Sequence, residues 1–402
     1  MYVTLAIVAG IVFFYSISIR GFERTPVNGA IVFCAFGLIF GPLGLDFLKL
    51  DPGTETLRTL AELTLALLLF SDAANANLGV LKGHIGIPRR LLVVGLPLTI
   101  ALGFGAGILL FDGLTMFEIA IIATLLAPTD AALGKAVVTD PSVPAPIREG
   151  LNVESGLNDG ICVPILFLFL ALATKSGGDE GAASIAVALF AEEIGIGLGV
   201  GIVLTAVATF FLKRCAQRGW LTETWRQLPV AALAVACFAG AQGLGGSGFI
   251  ASFTGGLLFG RLAGEKKEDL LISAEGTGDT LALITWVVFG AAVIGHSIDH
   301  LTWEPLIYAV LSLTVIRMLP VFLVLSGFGL RVGEKLFMGW FGPRGLASIV
   351  FAVIVLNEKL PGEDTIMLTA ACTIILSVLG HGLSAHPLVS RLFAGNDASA
   401  GR

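Results

Sequence analysis

Six ionisable side chains sit where an apolar helix has no use for them: Asp72, Asp130, Glu154, Asp159, Arg317 and Arg344 all interrupt long hydrophobic runs. Ser155, Asn158 and Asp159 stand at i, i+3 and i+4, so on a helix they share one face. A carboxylate beside a hydroxyl and uncommitted backbone carbonyls is a hard-oxygen donor set, suited to a small cation. Glu154, one residue before Ser155, points partly away from that face and is well placed to pair with Arg317.

Two prolines supply the carbonyls. In Leu126-Ala127-Pro128-Thr129-Asp130, Pro128 has no N–H and its ring clashes with the carbonyl four residues back, at Thr124. In Gly339-Trp340-Phe341-Gly342-Pro343-Arg344-Gly345, Pro343 does the same to Gly339. A broken helix presents a partly negative C-terminal end and a partly positive N-terminal end. Asp130 can compensate the positive ends and Arg344 the negative ones.

The elements that hold these residues are membrane helices. The chain has 402 residues, 55% hydrophobic, only 13% charged, with 51 glycines and a mean hydropathy of +0.91. Soluble domains carry roughly 25% charged residues, so a cytosolic enzyme is excluded, and the continuous apolar runs are unlike the alternation of a β-barrel. The net charge of −6 is dispersed over loops without a basic block, which argues against nucleic acid as a partner. The five cysteines, Cys34, Cys162, Cys215, Cys237 and Cys372, are widely spaced and form neither a disulfide framework nor a metal motif. The first run lacks a basic leader and a cleavage site and reads as a retained helix.

Apolar runs lie near residues 3–19, 26–45, 57–76, 91–111, 116–139, 147–173, 183–212, 228–243, 247–263, 273–295, 304–326, 335–356 and 364–386. Thirteen helices are expected. Of the 24 Lys and Arg residues, 18 fall at or beside one face and 4 (Lys49, Arg58, Lys175, Lys359) at the other. The positive-inside bias places the N-terminus outside and the C-terminus in the cytoplasm. The remaining two, Arg317 and Arg344, are at membrane depth, where a charge costs about 2.5–3.5 kcal/mol on insertion scales and needs a partner. The opposite-sign candidates are Glu62, Asp72, Asp130, Glu154 and Asp159, then Glu192, Glu193 and Asp279.

The interrupted spans are the fifth and the twelfth, each penultimate in a six-helix half, with the seventh as linker. That is the plan of an inverted-repeat transporter whose two broken helices cross at the ion site. The expected fold class is therefore an all-α polytopic membrane protein of two inverted six-helix repeats.

The ordered set Ala127-Pro128-Thr129-Asp130, Glu154-Ser155-Gly156-Leu157-Asn158-Asp159-Gly160, Ile316-Arg317 and Gly342-Pro343-Arg344-Gly345 resembles the monovalent cation/proton antiporters of the CPA1 type, sodium/proton antiporters related to the eukaryotic exchangers. The resemblance runs over essentially the whole chain, as one transporter domain. It implies a homodimer in the cell membrane, with a dimerisation part over about 1–80 and 183–300 and a moving core over about 90–175 and 303–390, working as an elevator. It implies that Asp159 is the shared cation and proton site, with Ser155 and the Thr129 backbone as further cation ligands and Asp130 and Asn158 around them. It also implies that Glu154 and Arg317 form a structural ion pair. Two positions depart from the pattern: Thr129-Asp130 is followed by Ala131 instead of proline, and the third-span acid is Asp72, a vestibule residue or ligand.

Protons and cations competing for one carboxylate, at a site that faces either side in turn, produce exchange. Asn158 is neutral where a second carboxylate would add charge, so one proton against one cation, without net charge movement, is expected. Sodium is the expected substrate, with lithium beside it and potassium as the alternative; no cofactor is expected. Two other classes compete. A passive channel would carry current without a pH gradient. An intramembrane aspartyl protease would use Gly276-Thr277-Gly278-Asp279, yet no tyrosine in the chain precedes an aspartate. The five histidines (His84, His296, His300, His381, His386) fall near span ends, which argues against a proton relay within the membrane, and Glu192-Glu193 reads as a vestibule or dimer surface.

Overall fold

A computed structural model describes residues 2–22, 27–48, 54–75, 86–130, 133–138, 140–175, 180–264, 267–294 and 302–393, and among them all regular structure is helical. The helices are α1 (Tyr2–Phe22), α2 (Gly29–Phe40), α3 (Glu55–Asn75), α4 (Gly86–Leu110), α5 (Met116–Leu125), α6 (Ala145–Lys175), α7 (Glu180–Gln217), α8 (Leu228–Gly243), α9 (Gly248–Ala263), α10 (Lys267–Val288), α11 (Trp303–Leu313), α12 (Val315–Val324), α13 (Val332–Trp340), α14 (Leu346–Asn357) and α15 (Glu363–Phe393). Among the described residues, six stretches are long and apolar enough to cross a membrane, namely α4, α6, α7, α10, α11 with α12, and α15. Five shorter ones, α1, α2, α5, α9 and α14, are apolar over 10–17 residues. His84, His296 and His300 lie outside the described residues, as does Ala131.

Local sequence explains where the helices begin. Asn28 accepts the Ile31 amide at 3.0 Å and Ser247 the Ile250 amide at 3.4 Å, each an N-cap. Thr115 and Glu118 form a reciprocal capping box at the start of α5. In α4 a wide turn over Leu91–Gly95 precedes Pro97, which absorbs the missing amide without ending the helix. The expected eleventh span is not continuous. Its backbone breaks at Thr314 (φ −110°, ψ −95°), where the Thr314 hydroxyl donates to the Val310 carbonyl at 2.6 Å, a back-bond that bends helices.

The chain forms two compact units. The first comprises Met1–Arg58, His84–Asn158 and Leu283–Arg402. Its core gathers Ile87, Val137, Ile147, Val321, Phe337 and Phe393. Within it α2 lies on the wide turn Phe289–Ile294 that ends α10, and two glycines permit the contact. A Cβ on Gly37 would strike the Val287 carbonyl and the Ala291 amide, and one on Gly290 would strike the Cys34 carbonyl. The second unit comprises Thr59–Gly83 and Asp159–Ala282, with Leu67, Phe70, Val230, Cys237, Phe259 and Leu271 in its core. None of the five cysteines forms a disulfide, and Cys162 and Cys237 are buried.

Candidate functional site

Helix α5 stops at Leu125 and the chain runs non-helically through Thr129 to Asp130; α13 stops at Trp340 and α14 restarts at Leu346. The two interruptions meet. The Asp130 amide donates to the Pro343 carbonyl at 2.7 Å, and Asp130 Oδ2 accepts the Leu346 amide at 3.0 Å. Leu346 opens α14, so Asp130 places negative charge on an N-terminal donor that no intrahelical carbonyl serves. Its other oxygen, Oδ1, accepts the Leu133 amide at 3.3 Å. Gly345 is required here, because a Cβ at that position would overlap the Asp130 carboxylate.

At the first break four carbonyls from the end of α5 onward are met by side chains, while that of Thr124, expected to be released by Pro128, accepts the Ala127 amide at 3.2 Å. Arg344 Nη1 donates to the Pro128 carbonyl at 3.0 Å and to that of Ala127. Ser348 Oγ donates to the Leu125 carbonyl at 2.7 Å, and Ser155 Oγ to the Thr129 carbonyl at 2.5 Å. Asn158 Nδ2 reaches the Thr129 hydroxyl at 2.7 Å. A fully buried guanidinium thus spreads its charge over the negative end of α5. At the second break the carbonyl met by a side chain is that of Trp340, which lies 2.7 Å from His381 Nε2, and not Gly339 as expected from Pro343.

Thr129, Asp130, Leu151, Ser155, Phe341 and Pro343 line a small cleft. Close by in sequence, Glu154 turns its carboxylate to Arg317, whose Nη1 and Nη2 reach Oε1 and Oε2 at 2.5 and 2.8 Å. Both residues are buried. Asp159 is half-buried and follows one turn after Ser155 on α6. Gly160 faces the Phe253 ring of α9. Of the remaining candidates, Asp72 on α3, Glu192 and Glu193 on α7, and Asp279 on α10 are all exposed.

Two buried polar residues were not anticipated. His381 is enclosed, hydrogen-bonded to Ser377 and Trp340, and its ring lies 4.9 Å from the Trp340 ring. His381 lies within α15 and is enclosed by protein. Its signal, a Ser at i−4 on an otherwise apolar helix, is weak. Glu118 is also buried; it accepts the Thr115 amide and hydroxyl at 2.8 and 2.9 Å and the Gly362 amide at 2.7 Å. The T-x-x-E capping pattern would have found it.

The sequence profile described as "Sodium/hydrogen exchanger, transmembrane" matches residues 6–391. The K(+)/H(+) antiporter NhaP2 of Shewanella oneidensis is 22% identical over 90% of this chain, which spans 62% of that relative's length. A Na(+)/H(+) antiporter of Schizosaccharomyces pombe is 24% identical over 97% of this chain and 90% of its own. The solved structure of the sodium proton antiporter MjNhaP1 from Methanocaldococcus jannaschii has the same fold, with a TM-score of 0.75, 20% identity and coverage of 95% of this chain and 98% of that one. An all-helical, multi-pass membrane protein matched by that profile almost from end to end belongs to the transmembrane sodium/hydrogen exchanger family.

Proposed function

We propose that the protein is a secondary transporter, not an enzyme, that exchanges protons for monovalent cations across the cell membrane. The observation that carries this reading is the meeting of the two breaks: a half-buried anion, Asp130, on the start of α14 and a buried cation, Arg344, on the end of α5. Two interrupted helices with their ends charge-compensated are the arrangement on which inverted-repeat transporters build an ion site. Sodium is the proposed substrate, with lithium beside it, and one proton moves against one cation. The antiporter names of the relatives support the reaction class.

Asp159 is proposed to bind proton and cation in turn, with Ser155 and Thr129 as further oxygen ligands and Asn158 and Asp130 ordering them. The support for Ser155 and Asp159 is their one-turn spacing on α6. Glu154 and Arg317 are proposed as a structural pair. We further propose a homodimer, with a dimerisation part near 1–80 and 183–300, and an elevator-like core near 90–175 and 303–390. The excess of Lys and Arg on one face supports an outside N-terminus and a cytoplasmic C-terminus.

Potassium is the second reading, favoured by the K(+)/H(+) antiporter among the relatives. The test is cation-dependent dequenching of a pH-sensitive dye in proteoliposomes, with sodium, lithium and potassium in parallel. Dequenching with sodium and lithium supports the first reading and dequenching with potassium alone the second. No response to any of the three overturns exchange.

A further inference from the structure

Four cations gather where α4 and α13 begin and α12 ends. Arg89 and Arg90 lie in the first turns of α4, and Arg331 and Lys335 stand at the start of α13. Arg90 Nη1 donates to the Val324 and Ser326 carbonyls, both at 3.3 Å, and its guanidinium lies 4.8 Å from the centre of the Phe328 ring. Lys335 Nζ lies 5.3 Å from the centre of the Phe322 ring. Phe322 and Ser326 are one turn apart, with Ser326 Oγ donating to the Phe322 carbonyl at 3.0 Å. Arg90 and Lys335 therefore both meet the last turn of α12.

Helix-end capping accounts for part of this. The Val324 and Ser326 carbonyls belong to the partly negative end of α12, which a cation suits. That role uses Nη1 of Arg90 alone. Arg89, Arg90 and Arg331 are exposed, Lys335 is half-buried, and among the described residues none of the four stands in an ion pair. This is so although the chain carries 30 acidic residues against 24 Lys and Arg. Glu334, beside Lys335 in sequence, turns its Oε2 to the Arg331 amide at 2.8 Å, where it caps α13.

A second observation says what kind of anion fits. Below the cations, α4 packs on α12 and α12 on α13, and the three helices share an exposed apolar face. Val93 on α4, Leu323 on α12 and Val332 on α13 are 67, 56 and 61% exposed. Val93 follows Arg89 by one turn, so charge and apolar surface are continuous along the helix. A free phosphate ion has no use for that face. A phospholipid uses both, with acyl chains on the apolar side chains and its phosphate among the cations at the rim.

We propose that the rim formed by Arg89, Arg90, Arg331 and Lys335, with the apolar face below it, is a docking surface for anionic phospholipid. The three helices lie in the stretch proposed as the moving core, so a lipid held there travels with it. The inference goes beyond the exchange reading and rests only on the chain's being a membrane protein.

The test is photolabelling of the purified protein by a phosphatidylglycerol with a diazirine in its acyl chain, mapped by mass spectrometry. Labels are expected on residues 86–98 and 315–336. Unlabelled phosphatidylglycerol should displace them at a concentration at least fivefold lower than phosphatidylcholine with the same chains, because each cation near an anionic surface contributes about a factor of five. In the triple variant Arg89→Gln, Arg331→Gln, Lys335→Gln that preference should fall to about one; Arg90 is kept because it caps α12. No label on these segments, equal displacement by the two lipids, displacement by inorganic phosphate alone, or an undiminished preference in the variant overturns the site. Salt covers misfolding of the variant. In the wild type, about 1 M choline chloride should shrink the preference at least threefold by screening, and a preference indifferent to salt overturns the proposal. Labelling requires no transport, so a protein that moves no cation would refute exchange and leave this surface decided on its own readout.

Discussion

Arg317 grips Glu154 with both terminal nitrogens, at 2.5 and 2.8 Å, and the two residues are buried. The pair is bidentate, the geometry in which guanidinium and carboxylate bond most strongly. Removing one partner of a buried pair leaves the other charge uncompensated and costs about 3–5 kcal/mol. Arg317→Ala should therefore lower the melting temperature in detergent sharply, while adding Glu154→Gln should recover part of the loss. A double-mutant cycle reads the coupling directly, and strict additivity would mean that the contact contributes nothing.

Asp159→Asn keeps shape and hydrogen-bonding capacity but removes the one group proposed to carry proton and cation. Sodium-driven dequenching should vanish, with the melting temperature close to that of the wild type. Coupled transport at the wild-type rate would remove Asp159 from the mechanism.

Glu118 joins the cap of α5 to the loop before α15 through three donors on two oxygens. In Glu118→Gln one oxygen becomes an NH₂ facing an amide N–H, so a buried donor is left unserved at a cost of about 1–3 kcal/mol. Thr115→Ala, which deletes only the cap, should cost about 1 kcal/mol. Thermal melts of both variants should rank in that order, and the reverse order would show that the link to Gly362 carries no stability.

Charge movement tests the stoichiometry. Asp130 already spends its oxygens on the Leu346 and Leu133 amides, and Arg344 is a fixed cation. If only Asp159 changes its proton during the cycle, no net charge crosses. One uncompensated charge would contribute about 2.3 kcal/mol per 100 mV. With sodium as substrate and the membrane potential set by potassium and valinomycin, the rate should stay nearly constant across imposed voltages. A steep voltage dependence would show that a second group titrates.

Both interruptions at the candidate site were legible because Pro128 and Pro343 write them into the sequence, and a missing N–H acts whatever surrounds it. The break at Thr314 was not legible, since it accompanies a hydroxyl that turned inward to Val310, a choice made by packing. The pairing of Glu154 with Arg317 could be read because buried charges of opposite sign are few. His381 could not, because its partner Trp340 lies 41 positions away and is a backbone carbonyl, which no residue type announces. Helix starts followed their caps, as at Asn28 and Ser247, and the two-unit division did not, because three of its four limits fall within α3, α6 and α10.

The meeting of α2 with the wide turn Phe289–Ile294 has bare backbone on both sides, Gly37 against Val287 and Ala291, and Gly290 against Cys34. Helices separated by side chains can shear past one another, because rotamers change to follow a small translation. At these two glycines there are no rotamers to change, and a slide drives a carbonyl into a Cα. The seam can only rotate as one body or come apart completely. Whatever displacement accompanies ion translocation, these two segments travel together through it, and a single methyl at position 37 or 290 would act as a wedge in the joint.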